Sequence, residues 1–429
     1  MDNFKDNMEL CSEQKMVYNF MENTNYNLFI SGKAGTGKSY LLKYFKEHTN
    51  KQVLYVAPTG VVALNIGGET IHSIFGFDNV KEGVNYFKLY SRQIDILKNL
   101  DALVIDEISM VRVDVFEQIN KILKYVNRNN LPFGGKQVIV FGDIFQLPPV
   151  ADKNEKAYFD NKYDGIFFFN SDAYKNGNFK YYELQIIHRQ KDVDFINILN
   201  NIREGRLSEN QANLLNEHCV SNLPNNIIQL VPRKELANAI NIQNLNKLNS
   251  KEYTYNAIIK ADKKVNPKNY RCDFVLKLKV GAHIMMIAND TEQKRWVNGT
   301  CGIITELSDN YIKVKIDGIE YTVERFNFIR YKCFYDRKTD KLVYIEDTRV
   351  SQFPLILSYA ITIHKAQGMT CSEVICDVEG CFDAGQAYVA LSRCANFDRL
   401  YLVHKITLNV IIVDTAVIDF YNQQLCNVA

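Results

Sequence analysis

Nine residues, Ser31-Gly32-Lys33-Ala34-Gly35-Thr36-Gly37-Lys38-Ser39, constrain what this chain can fold into more than any other stretch. They fit the pattern G-x-x-x-x-G-K-S/T, follow the apolar run Leu28-Phe29-Ile30, and open a helix-like segment through Tyr40-Leu41-Leu42-Lys43-Tyr44-Phe45. A strand feeding a glycine-rich loop that feeds a helix is the context a phosphate loop requires. Small residues, Gly35, Thr36 and Gly37 among them, let successive backbone N–H groups turn inward around β- and γ-phosphates, and the helix N-terminus adds its positive dipole. Lys38 supplies a mobile charge, and the Ser39 hydroxyl suits Mg²⁺. The stretch therefore predicts a bound nucleoside triphosphate.

Such a loop belongs to an open α/β sheet, which binds its ligands at the carboxyl ends of parallel strands. Val53–Ala57 is a continuous apolar run ending in Pro58-Thr59-Gly60, and reads as one such strand. Ala102–Ile105 is a second, ending in Asp106-Glu107, where one carboxylate suits the Mg²⁺ shell and the other suits polarising a water. Val138–Phe141 is a third; Gln146 in the loop after it suits sensing the γ-phosphate, and Pro148-Pro149 makes that loop rigid. Thr70-Ile71-His72-Ser73-Ile74-Phe75 mixes hydroxyls, an imidazole and an aromatic, a set that fits phosphate contacts with base stacking and fits a capped helix start as well. Ahead of the loop, Glu13–Met21 has the apolar spacing of a short amphipathic helix. On it Gln14 offers one donor and one acceptor to an adenine edge, or faces solvent.

The second half returns to this texture and interrupts it. Ile187-His188-Arg189-Gln190 leads into a helical pattern at Phe195, Ile198, Leu199 and Ile202, and marks the boundary to a second α/β unit with a strand at Ile227–Val231 and a helix at Lys234–Leu248. Between Pro267 and Asp347, Ile312, Val314 and Ile316 alternate with lysines, and Asp317-Gly318 leads into Ile319, Tyr321 and Val323, a hairpin with a two-residue turn. With Ala282–Ile287 and Cys301–Leu307 this predicts a small antiparallel barrel inserted into the second unit. After Leu355–Ile363 come His364-Lys365-Ala366-Gln367-Gly368, a strand at Val374–Asp377 and a helix from Gln386 to Arg393.

Composition decides little beyond class. A hydrophobic fraction of 47% over 429 residues fills more than one core, and a net charge of +2 leaves any nucleic-acid partner to be argued from local sites. The ten cysteines form no C-x-x-C pair and lack histidines at zinc-ligand spacing, so free thiols are expected. Asp2, Asp6 and Glu9 stand where a secretory or transit signal would be apolar or basic, and no apolar run approaches the ~20 residues that span a bilayer. These observations lead to the expectation of a soluble intracellular protein with no membrane partner, placed in the cytoplasm or nucleoid if its source is prokaryotic or viral.

Taken together, GKAGTGKS, APTGVVALN with TIHSIF, DEISMV, PFGGKQVIVFGDIFQLPPV, HRQ, WVNGTCGII, SYAITIHKAQGMT and GQAYVALSRC form an ordered series running from about Cys11 to Leu402. In this series the chain resembles the PIF-type (petite-integration-frequency) DNA helicases, of the RecD-like branch of helicase superfamily one. The resemblance implies two RecA-like units with parallel sheets: 1–188 with a small wedge-type insertion near 72–95, then 189–266 together with 348–429, with an Src-homology-3-like barrel at 267–347. It implies ATP and Mg²⁺ as cofactors, with Gln14 at the adenine, Lys38 and Ser39 at phosphate and metal, Asp106 at the metal, and Glu107 as catalytic base. Gln146, Arg189 and Arg393 fall around the γ-phosphate, and Gly368 lines the nucleotide. Pro58, Thr59, Gly60, His72, Ser73, Pro148, Thr362, His364 and Lys365 fall at positions that contact single-stranded DNA. These types suit phosphate and sugar edges rather than a base code.

The implied activity is ATP-driven 5′ to 3′ movement on single-stranded DNA and unwinding of forked or tailed duplexes, by a monomer. Cys11, Ile144 and Tyr359 depart from the commoner leucine, aromatic and tryptophan, each exchanging one apolar side chain for another. Terminal extensions of larger family members are expected to be missing. A nucleotide-switched ATPase that never unwinds would keep the phosphate loop and Asp106-Glu107 without needing the APTG, TIHS and THK-type segments. A silent DNA-binding module would not need the full ATPase set.

Overall fold

The computed structural model describes residues 9–77, 88–224, 227–261, 264–290 and 292–428. Its first lobe is built on strands β1 (Leu28–Gly32), β2 (Val53–Ala57), β3 (Glu69–Thr70), β4 (Ala102–Ile105), β5 (Gln137–Phe141) and β6 (Lys180–Leu184). They form one sheet in the order β3-β2-β4-β5-β1-β6. All its pairings are parallel. Every residue of β1, β2, β4 and β5 is buried, which is why these strands are continuous apolar runs rather than alternating ones. Parallel order puts all the carboxyl ends on one edge. The loop after β1, the carboxylates after β4 and the glutamine loop after β5 are therefore neighbours before any side chain is considered.

The second lobe begins with β7 (Gln229–Val231), and the chain then leaves that sheet. It builds β8 (Tyr253–Asn256), β9 (Ile258–Ala261), β10 (Val275–Leu278), β11 (His283–Met286), β12 (Cys301–Leu307), β13 (Ile312–Ile316), β14 (Ile319–Val323), β15 (Phe326–Asp336), β16 (Lys341–Gln352) and β17 (Leu355–Leu357). It then returns with β18 (Ala360–Thr362), β19 (Val374–Cys376) and β20 (Leu400–Leu402), giving a four-stranded parallel sheet in the order β18-β7-β19-β20.

The excursion contains an antiparallel sheet β14-β13-β12-β11-β17 with its own apolar core, including Ile284, Met286, Ile304, Val314 and Phe353. Its β13–β14 hairpin turns through Asp317 and Gly318 at φ 48° and 85°, the left-handed pair that a two-residue turn between twisted strands demands. The paired strands overrun the expected 267–347 span at both ends. Tyr253–Asn256 pairs with β10, Ile258–Ala261 with β16, and Leu355–Leu357 closes against β11.

Two further features differ from the sequence expectation. The long β15–β16 hairpin is an arm that reaches the first lobe: the Cys333 N–H donates to Glu69 Oε1 at 2.7 Å and the Tyr344 hydroxyl to the Val53 carbonyl at 3.2 Å. The C-terminal helix Thr415–Val428, expected in the second lobe, packs into the first. Phe420 stacks on Phe169 with ring centroids 4.1 Å apart and more distantly on Phe29 at 6.3 Å, and meets Phe168 and Tyr174 edge-on, so the helix buries its aromatic face in the first lobe. Part of the wedge expected near 72–95 lies outside the described residues. Its flanks are the short helix Ile71–Phe75 and the helix Ser91–Asn99.

Replacing Phe420 by alanine should therefore loosen the first lobe. We expect a loss of about 3 kcal/mol in denaturant unfolding. A loss below about 1 kcal/mol would show that the helix is only laid on the surface.

Candidate nucleotide and polynucleotide site

The phosphate loop is shaped by two glycines with left-handed backbone, Gly35 at φ 88° and Gly37 at φ 82°. Neither position tolerates a side chain. A Cβ on Gly35 would come within 2.6 Å of the Arg189 Cβ, and one on Gly37 within 2.6 Å of the Gln14 amide nitrogen. Gln14 is thus buried against the loop rather than on a solvated face, and its amide donates towards the Gly37 carbonyl at 3.5 Å. The Lys38 ammonium folds back on the loop, donating to the Gly32 and Lys33 carbonyls at 2.5 and 3.1 Å, and the Thr36 hydroxyl donates to Lys33 at 3.0 Å. Burial holds Lys38 below its ordinary pKa, with Asp143 and Glu107 opposing the shift.

Asp106 and Glu107 follow β4 into the same cleft. The Glu107 N–H donates to Asp106 Oδ1 at 2.9 Å, and Glu107 itself takes left-handed backbone, φ 51° and ψ 51°, at a cost of about 1–2 kcal/mol for a residue with a Cβ. Burial pushes Asp106 up to about 6, against the N–H it accepts and the charge of Lys38. Burial and the neighbouring Asp106 push Glu107 up to about 7, against Lys38 and Arg393. Two hard oxygen ligands, the Ser39 hydroxyl and an Asp106 carboxylate short of positive charge, fit a small divalent cation.

The opposing wall comes from the second lobe. Arg393 is 1% exposed and donates to the Val389 carbonyl at 2.9 Å, the Met369 carbonyl at 3.1 Å and the Ser392 hydroxyl at 2.9 Å. Arg189 packs on Gly35 and donates to the Ser392 carbonyl at 3.0 Å. Burial, then repulsion from Arg393, lowers it to about 9. His188-Arg189-Gln190 is thereby a strap between the lobes, with the His188 N–H on the Gly35 carbonyl at 2.8 Å and the Gln190 amide on the Ser392 and Cys394 carbonyls at 3.1 and 2.9 Å. Gln146 meets the second lobe through Gln367, whose amide reaches Gln146 Oε1 at 3.3 Å. Gly368 has φ 76° and open space beside it.

The residues expected at DNA lie at the carboxyl ends of strands in both lobes. Thr59 caps the helix Gly60–Asn65, accepting from the Val62 N–H at 3.3 Å, beside Pro58 and a Gly60 packed against Asn269 of the inserted module. His72 is half-buried, edge-on to Phe77, and burial holds it below its ordinary pKa. The Ser73 hydroxyl is engaged, donating to Glu69 at 3.1 Å. Pro148 lines a narrow recess with Phe145, Gln146, Gly385 and Val413. In the other lobe, the Thr362 hydroxyl accepts the Lys365 N–H at 3.2 Å, His364 is half-buried and Lys365 exposed.

Sequence reasoning assigned nothing to Gln367, Tyr388, Asp143 or Arg203. The Tyr388 hydroxyl donates to Asp143 at 3.2 Å and accepts the Ala34 N–H of the phosphate loop at 2.9 Å, and Arg203 donates to Asp143 and Glu183, both at 3.1 Å. Among the described residues no cluster of histidine, cysteine and carboxylate side chains forms a preassembled metal site, the ten cysteines are free, and no helix is long and apolar enough to cross a membrane.

A phosphate loop on one parallel sheet, faced by buried arginines from a second, defines a two-lobed RecA-like nucleotide-binding protein. The PIF1-like helicase family model matches residues 9–213. The ATP-dependent DNA helicase Pif1 of Bdellovibrio bacteriovorus is 32% identical over 97% of this chain and 92% of its own. The crystal structure of Pif1 from a Bacteroides species in complex with ADP-AlF4 superposes with a TM-score of 0.90 at 37% identity, covering 98% of both chains. Bacteroides Pif1 bound to single-stranded DNA superposes at 0.69 with 38% identity, covering 97% of both. The chain belongs to the PIF1-like helicase family.

A raised carboxyl pKa also has a stability sign. A folded Glu107 that titrates near 7, against 4.5 for the free group, holds its proton more tightly than the unfolded chain does, so its contribution to stability falls as pH rises from about 4.5 through 7. Glu107→Gln should accordingly be more stable than the parent at pH 8, by on the order of 2 kcal/mol, with the gap closing near pH 4.5. Thermal melts at both pH values check this, and a gap independent of pH would contradict it.

Proposed function

We propose that this protein is an ATP-dependent DNA helicase that moves 5′ to 3′ along single-stranded DNA and unwinds forked or tailed duplexes. The observation that carries the reading is the meeting, in one buried cleft, of Lys38, Asp106 and Glu107 from one lobe with Arg189 and Arg393 from the other. Lys38 leaves the loop carbonyls for the phosphates, and Gln14 sits where the adenine edge would abut Gly37. Ser39 and Asp106 would hold Mg²⁺, which would supply positive charge to the triphosphate when bound. Glu107 accepts a proton from the attacking water, for which a carboxyl poised near 7 is well matched. Gln146, Arg189 and Arg393 stabilise charge on the transferring phosphoryl group, and the arginines do so only when the lobes are closed.

Thr59, His72 and Ser73 on one lobe and Thr362, His364 and Lys365 on the other hold the strand by its backbone, so that closure and reopening advance it. The drop in TM-score from 0.90 to 0.69 between two complexes of one relative supports lobes whose arrangement differs with what is bound. RNA–DNA hybrids and G-quadruplexes are further substrates that such a strand motor can open, and replication, repair or recombination is the setting it fits. One copy suffices for every contact named here.

Lys38→Ala should reduce ATP hydrolysis roughly a hundredfold or more. Arg393→Ala should leave ATP affinity within a few-fold and lower turnover by about a thousandfold, and an unchanged kcat with a raised KM would remove it from the reacting phosphate. Duplexes with a single 5′ or 3′ tail read the direction, since only the 5′-tailed one should be unwound.

A further inference from the structure

We propose that Gln367 is the positioning residue through which a strand held by the second lobe acts on the hydrolytic groups of the first. This rests on the reading of Glu107 as the base and of Thr362, His364 and Lys365 as strand contacts. The Gln367 amide nitrogen donates to Glu107 Oε2 at 3.0 Å and to Gln146 Oε1 at 3.3 Å. An amide NH₂ has two hydrogens, and both are used on the two groups that must face the γ-phosphate and the water. With its carbonyl so engaged, Gln146 keeps its own NH₂ for a phosphate oxygen, and Glu107 keeps its second oxygen for a water.

Gln367 lies in a turn that is braced along its length. The Thr362 hydroxyl accepts the Lys365 N–H at 3.2 Å, the Ala366 N–H meets the Thr362 carbonyl at 3.1 Å, and the Gln367 N–H meets the His364 carbonyl at 3.3 Å. Beyond Gly368, the Met369 N–H returns to the Ala366 carbonyl at 3.0 Å, and the Met369 carbonyl accepts from Arg393 at 3.1 Å. One stretch of backbone therefore bears the strand contacts, the amide on the base and the carbonyl that holds the arginine. A shift of Thr362–Lys365 on taking up a strand is carried to Glu107, Gln146 and Arg393 together, and loss of the Gln367 donor breaks the part of that linkage that reaches the base.

Gln367→Met keeps the side-chain length and removes the donor; Gln367→Glu keeps the shape and turns the donor into an acceptor facing a carboxylate. ATP hydrolysis is measured with and without oligothymidine, and oligothymidine affinity by fluorescence anisotropy. The ratio of stimulated to basal kcat should fall about tenfold in both variants, with KM for ATP and oligothymidine affinity within about twofold of the parent. An unchanged ratio in both, or a proportional loss of basal and stimulated rates, overturns the proposal. Failure of the underlying reading is separate: the parent would then show no stimulation by oligothymidine, or Glu107→Gln would keep full turnover.

Discussion

Arg203, at the end of the helix Val193–Arg203, is fully buried and holds the two lobes in register. Burial alone would lower its pKa, yet Asp143, Tyr388 and Glu183 together hold it above the ordinary value. Its guanidinium also lies over the rings of Phe145 and Tyr421, at 4.2 and 4.9 Å, so the C-terminal helix is drawn into the same knot. Removing one partner of such a set leaves a charge without compensation in low dielectric, which typically costs about 3–5 kcal/mol. The Tyr388 hydroxyl completes the bridge by touching both Asp143 and the Ala34 N–H. Tyr388 and Arg393 share the stretch that runs from Gln386 to Arg393, so the arginine facing the cleft is placed relative to the phosphate loop by a phenol and a buried ion pair.

That placement also sets the electrostatics of the cleft. Lys38, Arg189 and Arg393 sit below their usual pKa, and Asp106 and Glu107 above theirs, chiefly because each is buried. The positive groups that meet across the cleft donate to backbone carbonyls and, for Arg393, to the Ser392 hydroxyl, none of which carries a full negative charge, and a triphosphate supplies that charge. The ligand is thus recognised by what the buried site is short of.

Much of the first lobe was legible in the sequence because its strands are buried on both faces, and the limits of β2 and β4 match their apolar runs. In the inserted module, the turn residues Asp317-Gly318 announced the β13–β14 hairpin. Strands of three residues such as β17, β18 and β20 show no period and could not be read individually. Glu107 was singled out by its place after a buried apolar strand, and Arg189 and Arg393 by the family resemblance alone, since an isolated arginine carries no local signal that separates it from a surface ion pair. Gln367, Tyr388 and Arg203 were not assigned because their roles lie in contacts across the chain, from Gln367 to Glu107 and from Tyr388 to Ala34, which no local spacing records. The docking of the β15–β16 arm and of the C-terminal helix on the first lobe is of the same kind. Both depend on surfaces that exist only once the sheet has formed.

Two lobes that share a triphosphate and a strand must be linked thermodynamically. The most direct test is the affinity of the intact protein for oligothymidine with and without ADP-aluminium fluoride, set beside its affinity for that nucleotide complex with and without oligothymidine. Coupled lobes require both affinities to change, by about fivefold or more and by the same factor. If each ligand binds with the same affinity whether or not the other is present, the cleft and the strand path are independent, and this chain is not a motor of the kind described.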